Sequence, residues 1–304
     1  MAVYVVGDFL RETRLRKGYT QEEVSYGICT PASLSRIENG AQKPGRLILE
    51  KLFERLGTEN NLFNSFVSRE EMELYSAIQE LIRNITDDDV AKIESQIAIV
   101  ERLLLNTSEL EHQCLYFAKG ELARQRDQND TLAMEQYMKA IHITLPEFDG
   151  KNSLRNNLLT FDEIMIINAI AILYAKNEEV LTAIQLGMWL KEYMENKIVD
   201  GKMKIAKYPM ILYNLSNWLG KRKCHREALE MAELGVEFCI KYGNLAFFPI
   251  LILNKGVALQ ELGKLQEARK YLHQSVTILE AMKKTEIVNL VSDWCKKYYQ
   301  LEIQ

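Results

Sequence analysis

Hydrophobic residues recur at three- and four-residue intervals along most of this sequence, which is the period of an amphipathic α-helix. In the last segment, 286–303, they fall at Ile287, Leu290, Val291, Trp294 and Tyr298. These positions share one face of a helix, and such a helix suits the closing of the open end of a helical stack. The pattern therefore predicts an all-α protein that ends in a capping helix.

The second part of the chain contains an internal repeat of 40 to 50 residues. Each copy has the pattern of a helix, a short polar turn and a second helix that carries an alanine. These alanines are Ala133, Ala183, Ala228 and Ala268. The last copy resembles a tetratricopeptide repeat, because Gly256 and Ala268 allow close helix approach and Gly263 makes the turn. The resemblance implies a right-handed helical solenoid of degenerate repeats.

Turn-forming residues are scarce and concentrate near the N-terminus. The chain has 15 glycines and 5 prolines, of which 6 and 2 lie in residues 1–57. Helices there must be short, whereas long helices follow. A polar stretch that begins at Gly57, a predicted C-terminal cap, marks the boundary. The sequence predicts an N-terminal head of residues 1–66 and a repeat domain of residues 67–304.

Capping signals support this division into helices. A hydroxyl residue three positions before an acidic residue is the capping-box pattern of a helix start. The pattern occurs at Thr20 and Glu23, Thr86 and Asp89, Ser108 and Glu111, and Thr160 and Glu163.

Within the head, two short helices are predicted to begin after Thr20 and after Thr30, with Pro31 at the first position of the second helix. Gly40 ends that helix. Their apolar faces are Val24, Ile28, Leu34 and Ile37. Two such helices joined by a turn of three or four residues, inside a bundle of about five, form a helix-turn-helix.

The strings Thr20-Gln21-Glu22-Glu23 and Ser35-Arg36-Ile37-Glu38-Asn39-Gly40, with Arg14 four residues before Gly18, resemble the Cro/C1-type (XRE) DNA-binding domain. This resemblance implies a lambda-repressor-like five-helix bundle with an ion pair between Arg14 and Glu38. The segment from Thr20 to Gly40 is one residue shorter than the common pattern, which predicts a tightened turn. The resemblance also implies DNA contacts from Gln21, Thr30, Ala32, Ser33, Ser35, Arg36, Asn39, Lys43 and Arg46.

The charge distribution is compatible with this interpretation. The formal net charge of −4 argues against bulk coating of nucleic acid. However, residues 1–57 carry nine cationic and seven acidic side chains, so the rest of the chain is at −6. A few well-placed cations suffice for phosphate contacts. Because Ala32 and Ser33 are short, we expect modest direct base readout with help from DNA shape.

Other chemistry finds little support in the sequence. The five cysteines are odd in number and lack C-x-x-C spacing, which predicts reduced thiols in a cytoplasmic protein. No metal-ligand cluster or nucleophile–base pair is visible, so neither a cofactor nor an enzymatic activity is expected. The N-terminus has no signal-peptide pattern. The longest apolar stretch, 164–175, is interrupted by Asn168 and is too short to cross a bilayer.

Three asparagines, Asn168, Asn214 and Asn254, recur at nearly equivalent places on the first helices of successive repeats. A carboxamide both donates and accepts hydrogen bonds, so this set is suited to holding an extended peptide backbone. Asn217 and Lys221 lie nearby on the same predicted helix surface. An asparagine on a helix is often merely solvated, but three in register favour a binding role.

An XRE head, a linker helix and about five degenerate repeats is a layout similar to that of the PlcR-like quorum-sensing regulators, the group that holds Rgg, NprR and PrgX. The resemblance implies a homodimer that binds an operator DNA and a short signalling peptide. The matching asparagines are Asn168 and Asn214, with Asn254 added by repeat register, and Arg83 is the candidate for the peptide carboxylate.

The sequence therefore predicts a DNA-binding transcription regulator whose operator binding changes when its repeats bind a peptide. The alternative is a DNA-binding regulator whose repeats bind a protein partner or only dimerise. The two interpretations share the head and differ in the ligand of the repeats.

Overall fold

A computed structural model describes residues 2–58, 69–86, 89–104, 109–154, 157–197, 199 and 201–299. All regular secondary structure within these ranges is α-helical, as the sequence predicts. The fifteen helices in the described ranges are α1 (Ala2–Arg16), α2 (Gln21–Ser25), α3 (Pro31–Glu38), α4 (Arg46–Arg55), α5 (Arg69–Thr86), α6 (Val90–Leu103), α7 (Glu109–Gln125), α8 (Asp130–His142), α9 (Phe161–Lys176), α10 (Val180–Asn196), α11 (Gly201–Lys221), α12 (His225–Tyr242), α13 (Phe248–Glu261), α14 (Leu265–Ala281) and α15 (Thr285–Tyr299).

The helix-turn-helix is formed by α2 and α3, and both begin at the predicted residues. Thr20 and Glu23 form a complete capping box, and the Thr30 hydroxyl accepts the backbone N–H of Ser33. The predicted turn length of three or four residues is wrong, because five residues, 26–30, join the two helices. The reason is that α2 ends early, where Gly27 adopts a left-handed φ of 66°. Four helices lie in the described part of the head, where about five were predicted.

The core of the head is continuous with the first repeats. Its buried side chains come from all four helices of the head and the residues just after α2 and α4, and they include the four predicted apolar residues: Leu10, Val24, Ile28, Leu34, Ile37, Leu49, Leu52, Phe53 and Leu56. Leu110 of α7 and Leu158, just before α9, are buried in the same cluster. The head is therefore packed against the repeats through apolar side chains.

Packing divides the chain into two compact units. Unit 1 comprises residues 1–173 and 197–200, and unit 2 comprises residues 174–196 and 201–304. The head thus belongs to the same unit as the first repeat helices. The boundary predicted between residues 66 and 67 lies outside the described residues.

The repeats are helix pairs in which small residues allow close contact. The four repeat alanines are buried, none more than 2% exposed. A Cβ added to Gly120 would lie 2.4 Å from the Tyr137 ring, and one added to Gly256 would lie 2.9 Å from Leu272. Gly263, with a φ of 79°, makes the turn between α13 and α14. This packing confirms tetratricopeptide-like pairs.

The other predicted caps have different outcomes. Thr160 and Glu163 form the predicted capping box at the start of α9. The prediction that Thr86 is an N-cap is wrong, because α5 includes this residue. The next helix, α6, is capped instead by the Asp89 carboxylate, which accepts the backbone N–H of Lys92. Ser108 lies outside the described residues.

The C-terminal helix packs with only part of its predicted face, since Val291 and Trp294 belong to the packed cluster and the other three predicted residues do not. In α15, Val291 and Cys295 are buried against Leu272 and Val276 of α14. Ile287, Leu290 and Tyr298, which the pattern placed on the packed face, are 37%, 70% and 59% exposed. The difference arises because Val288, Cys295 and Tyr299 complete the inner face, so the helix is rotated from the predicted orientation. Residues 300–304 lie outside the described part of the chain.

Candidate functional site

A buried ion pair fixes α3, the second helix of the helix-turn-helix, within the head. Arg14 on α1 donates from Nε and Nη2 to the two carboxylate oxygens of Glu38, at 2.7 and 2.8 Å, and from Nη1 to the carbonyl of Tyr19 at 3.0 Å. The hydrogen bonds to Glu38 raise the pKa of Arg14 above its ordinary value. This two-point contact, which the XRE resemblance implies, ties α1 to the end of α3.

Gln21 joins the same network. Its Nε2 donates to Glu38 Oε2 at 2.7 Å, and its side chain is half-buried. The side-chain amide that was expected to contact DNA is thus directed toward the ion pair. In this arrangement Gln21 links the start of α2 to the end of α3.

The outer face of α3 carries the predicted base-reading residues. Ala32 and Arg36 are exposed, while Ser33 and Ser35 are half-buried; Asn39, predicted only to contact DNA, is exposed just after the helix. The Arg36 guanidinium donates to Ser33 Oγ at 3.4 Å, and the hydroxyl of the exposed Thr30 donates to the same oxygen at 3.0 Å. The face is therefore polar and presents one exposed cation.

Of the nine cations of the head, three are buried, four are exposed, and Lys17 and Arg46 are half-buried. Arg14, Lys51 and Arg55 are buried in ion pairs. Arg11, Arg16, Arg36 and Lys43 are exposed. The guanidinium of Arg46 lies 3.6 Å from the ring centroid of Tyr75 on α5, a cation–π contact. The charge available for phosphate contact is thus set by the exposed group.

The turn between α2 and α3 is held by a buried ion pair that the sequence analysis missed. Arg55 donates from Nη1 to the carbonyl of Tyr26 and from Nη2 to Glu163 Oε1 at 2.8 Å. Both charged side chains are fully buried. Glu163 therefore caps α9 and also neutralises a cation of the head. An added Cβ at Gly27 would lie 2.0 Å from the carbonyl oxygen of Thr144, so this turn also contacts the repeats directly.

A second polar cluster lies beside this pair. Lys51 Nζ is 2.9 Å from Asp162 Oδ2 and 3.1 Å from Glu54 Oε1, and Glu54 Oε2 accepts the backbone N–H of Phe161 at 3.0 Å. Burial raises the pKa of Glu54 to about 7, although Lys51 opposes the shift. Burial lowers the pKa of Lys51, but Asp162, Glu54 and Glu50 outweigh it and the net shift is upward.

Unit 2 contains a cavity of about 800 Å³, which we call the repeat cavity. It lies among α11, α13 and α15, the first helices of their repeats and the capping helix, together with the start of α12. Its lining residues are Tyr213, Ser216, Asn217, Trp218, Gly220, Lys221, Lys223, His225, Ala228, Leu253, Asn254, Val257, Ala258, Glu261, Trp294 and Tyr299.

Three residues predicted to bind peptide, Asn217, Lys221 and Asn254, line the repeat cavity. Asn254 is only 8% exposed and its Nδ2 donates to the carbonyl of Tyr213 at 3.3 Å. This bond joins α13 to the backbone of α11. The carboxamide of Asn217 is half-buried and has no hydrogen-bond partner among the described residues.

The other predicted peptide-binding residues lie elsewhere. Asn214 is buried on α11 outside the lining of the cavity. Asn168 is buried on α9 in unit 1. Arg83 is exposed on α5 in unit 1, where it pairs with Glu80 at 2.9 Å. The three asparagines are therefore buried rather than solvated.

The cavity combines aromatic surface with a few charges. Tyr213, Trp218, Trp294 and Tyr299 supply the aromatic surface. Among the described residues that line the cavity, Glu261 is the only acidic one, and its Oε1 accepts the hydroxyl of Tyr299 at 2.8 Å. A wall that combines aromatic and aliphatic side chains with polar groups is the usual composition of a site for an organic ligand.

The described residues were also compared with the requirements of a metal-ion site and of a membrane-spanning helix. No group of three or more His, Cys, Asp or Glu that could hold a metal ion occurs among them. Within the same ranges, no helix combines the length and the apolar character that crossing a bilayer requires.

Comparison with known proteins places the head in a family. Residues 5–66 match the model of a helix-turn-helix domain. The chain is 38% identical over 63 residues to the uncharacterized HTH-type transcriptional regulator YqaF of Bacillus subtilis (strain 168), and this match covers 20% of the chain and 83% of YqaF.

Solved structures match nearly the whole chain. PlcR of Bacillus thuringiensis, in complex with the peptide PapR7 and DNA, matches with a TM-score of 0.59 and 19% identity, over 93% of this chain and 98% of PlcR. The pheromone receptor Rgg2 of Streptococcus dysgalactiae matches with a TM-score of 0.50 and 11% identity, over 96% and 99% of the chains. This chain belongs through its head to the family of DNA-binding helix-turn-helix transcriptional regulators that includes YqaF, and its fold is that of the PlcR- and Rgg-like regulators.

Proposed function

We propose that this regulator senses a short signalling peptide, which binds in the repeat domain and alters the affinity of the head for operator DNA. In this proposal residues 1–66 bind DNA and residues 67–304 sense the ligand and dimerise. The protein acts in the cytoplasm as a homodimer, whose paired heads suit two half-sites about one helical turn apart.

The observation that carries the proposal is the repeat cavity. It combines four aromatic side chains, the carboxamide of Asn217, which has no hydrogen-bond partner among the described residues, and the predicted residues Lys221 and Asn254. A cavity of about 800 Å³ is within the range of sites that enclose organic ligands. The PlcR structure that shares this fold contains a peptide and DNA, which supports the same pair of ligands here.

Calorimetric titration of the full chain with fractionated culture-supernatant peptides tests the proposal. We expect saturable binding of a short peptide that Asn217→Ala weakens, since this substitution removes no hydrogen bond to any described residue. Asn196→Ala, at the exposed end of α10, is the matched control. Operator binding, followed by fluorescence anisotropy, should change when the peptide is added. Absence of any saturable peptide would contradict the proposal.

A second function is favoured by a different observation. The exposed side chains of Ile287, Leu290 and Tyr298 form an apolar strip on α15. Such a strip favours a repeat domain that binds a protein partner or only dimerises. Under this alternative Leu290→Asp abolishes self-association or partner binding, and no peptide changes the affinity for DNA. Light scattering of the variant together with the titration above separates the two functions.

A further inference from the structure

The turn between α2 and α3 determines where the second helix of the helix-turn-helix lies. Residues 26–30 form this turn, and the last of them, Thr30, caps α3. In a helix-turn-helix the second helix enters the major groove, and the residues at its N-terminus contact base edges. Ala32 and Ser33, two of the residues predicted to contact DNA, lie in the first turn of α3. A displacement of the turn between the helices would therefore displace these residues from the bases.

An ion pair contributes to holding each end of α3. At the C-terminal end, Glu38 is bound by Arg14 of α1, so this anchor lies entirely within the head. At the N-terminal end, the carbonyl of Tyr26 accepts a hydrogen bond from Arg55, whose carboxylate partner is Glu163 of α9. The second anchor thus depends on a residue of the repeats.

Glu163 orients the guanidinium of Arg55. Nη2 of Arg55 donates to Glu163 Oε1 at 2.8 Å while Nη1 donates to the carbonyl of Tyr26, and both charged side chains are fully buried. Glu163 is itself fixed, because its Oε2 accepts the backbone N–H of Thr160 and its own N–H donates to Thr160 Oγ1 at 3.3 Å. A guanidinium is a rigid planar fork, so a carboxylate that holds one nitrogen also sets the direction of the other. The start of α9 thereby directs the hydrogen bond from Arg55 to Tyr26.

The loop after α8 contacts the same turn. Gly27 has a φ of 66°, and a Cβ added there would lie 2.0 Å from the carbonyl oxygen of Thr144 and 2.7 Å from its Cα. Ile143, the preceding residue, packs against the core of the head. Since protein interiors are close-packed, the turn has little room to move while these contacts persist. Two segments of the repeats, at Thr144 and at Glu163, therefore hold the turn.

We infer that Glu163 is a positioning residue for DNA binding, which acts through Arg55 to hold the turn and with it the N-terminus of α3. Sequence-specific DNA recognition is then a property of the head together with the first repeats rather than of the head alone. The inference goes beyond the proposed function, since it requires no ligand in the repeat cavity. It also differs from a purely stabilising role, in which loss of the ion pair would lower stability and leave the discrimination between DNA sequences intact.

The test compares the affinity of the full chain for two DNA duplexes by fluorescence anisotropy. One is a duplex that the unmodified chain selects from a random-sequence library, with or without fractionated culture-supernatant peptides, and the other is a scrambled duplex of the same composition. The ratio of the two affinities measures sequence discrimination. The affinity for the scrambled duplex depends mainly on phosphate contacts from exposed cations, so it reports whether the DNA-binding surface is intact.

Arg55→Met/Glu163→Gln removes both charges of the pair, so that no buried charge is left without a counter-ion. Glutamine can still complete the capping box of α9, whereas the carbonyl of Tyr26 loses its anchor. We expect the affinity for the selected duplex to fall about tenfold, the size of one lost base contact, while the affinity for the scrambled duplex stays unchanged. Urea unfolding verifies that the variant is folded.

Arg124→Met/Glu121→Gln is the matched control. Arg124 and Glu121 form a largely buried ion pair at 2.5 Å on α7, in the same unit, and Glu121 also accepts the hydroxyl of Tyr137. Neither residue makes a hydrogen bond or ion pair to the described part of the head. This variant should keep the ratio of the unmodified chain. Equal losses of the ratio in both double variants, or an unchanged ratio in Arg55→Met/Glu163→Gln, would overturn the inference and leave the proposed function standing.

Arg55→Lys tests the same contact if the double variant does not fold. Lysine retains the charge that faces Glu163, but its single nitrogen cannot take the positions of both Nη1 and Nη2. We expect a lower ratio in a folded chain, and an unchanged ratio would overturn the inference. If the unmodified chain selects no duplex under either condition, both the inference and the operator binding in the proposed function are overturned.

Discussion

Arg55 shows how much a single side chain depends on its partners. Its guanidinium is fully buried, and Glu163 and the carbonyl of Tyr26 neutralise and bind its Nη groups, while its Nε has no partner among the described residues. A buried charge that loses its counter-ion retains its desolvation cost without the compensating attraction. The stability of the head is therefore sensitive to a residue 108 positions away along the chain.

Glu163→Gln tests this dependence. Glutamine can still complete the capping box of α9, but it cannot neutralise Arg55, so we expect a loss of about 3–5 kcal/mol in the free energy of unfolding. Glu23→Gln is the control, because Glu23 holds the same capping position in α2 on an exposed site. Urea unfolding measures both. Similar losses for the two variants would refute the assigned role of Glu163.

Arg36, in contrast, is exposed on α3, and its guanidinium makes a hydrogen bond only to Ser33 among the described residues. We expect Arg36→Ala to reduce operator affinity by about tenfold or more while leaving thermal stability unchanged, as for an arginine that contacts a base or a phosphate. Arg102→Ala, exposed on α6, should change neither quantity. Fluorescence anisotropy with operator DNA, paired with a thermal melt, decides the outcome.

At the scale of helices, local signals were predictable and distant pairings were not. The caps at Thr20, Thr30 and Thr160 follow from residues within one helical turn, and the structure contains them. The pairing of Glu163 with Arg55 joins helices remote in sequence, and no local pattern distinguishes it from an ordinary exposed capping acid. The rotation of α15 was missed because Val288, Cys295 and Tyr299 form a second apolar stripe beside the predicted one.

The contact between α4 and the start of α9 should make stability depend on pH. Glu54 faces Lys51, Asp162, Glu50 and the backbone N–H of Phe161, and burial raises its pKa from 4.5 to about 7. Between these values the folded chain holds a proton that the unfolded chain has released. The contribution of Glu54 to the free energy of unfolding therefore falls as the pH rises through this range.

Glu54→Gln removes this titration. The stability of the variant relative to the unmodified chain should rise between about pH 5 and about pH 7, as the carboxylate of the unmodified chain is forced to ionise. Glu80→Gln, on the exposed face of α5, is the control. Urea unfolding at several pH values gives both differences. If the stability difference between Glu54→Gln and the unmodified chain stays constant with pH, the pKa of Glu54 is not raised in the folded chain.

At the scale of the whole molecule, charge and packing divide the chain differently. By charge the division falls after the head, with +2 before residue 58 and −6 beyond it. By packing the head shares a unit and a core with the first repeats. Composition predicted the division by charge. The division by packing depends on apolar residues such as Leu110 and Leu158, whose burial against the head is not visible in a helical pattern.

Removal of residues 1–58 should therefore damage the first repeats as well as abolish operator binding. Leu110 and Leu158 would lose their partners in the shared core, and Asp162 and Glu163 would lose Lys51 and Arg55. Hydrogen exchange followed by mass spectrometry should show faster exchange in α7 and in the first turns of α9. Peptides from α13 and α14, which belong to the other unit, provide the internal reference. Unchanged exchange in α7 and α9 would show that the head is an independent module, and that the buried contacts around Arg55 contribute little to holding the repeats.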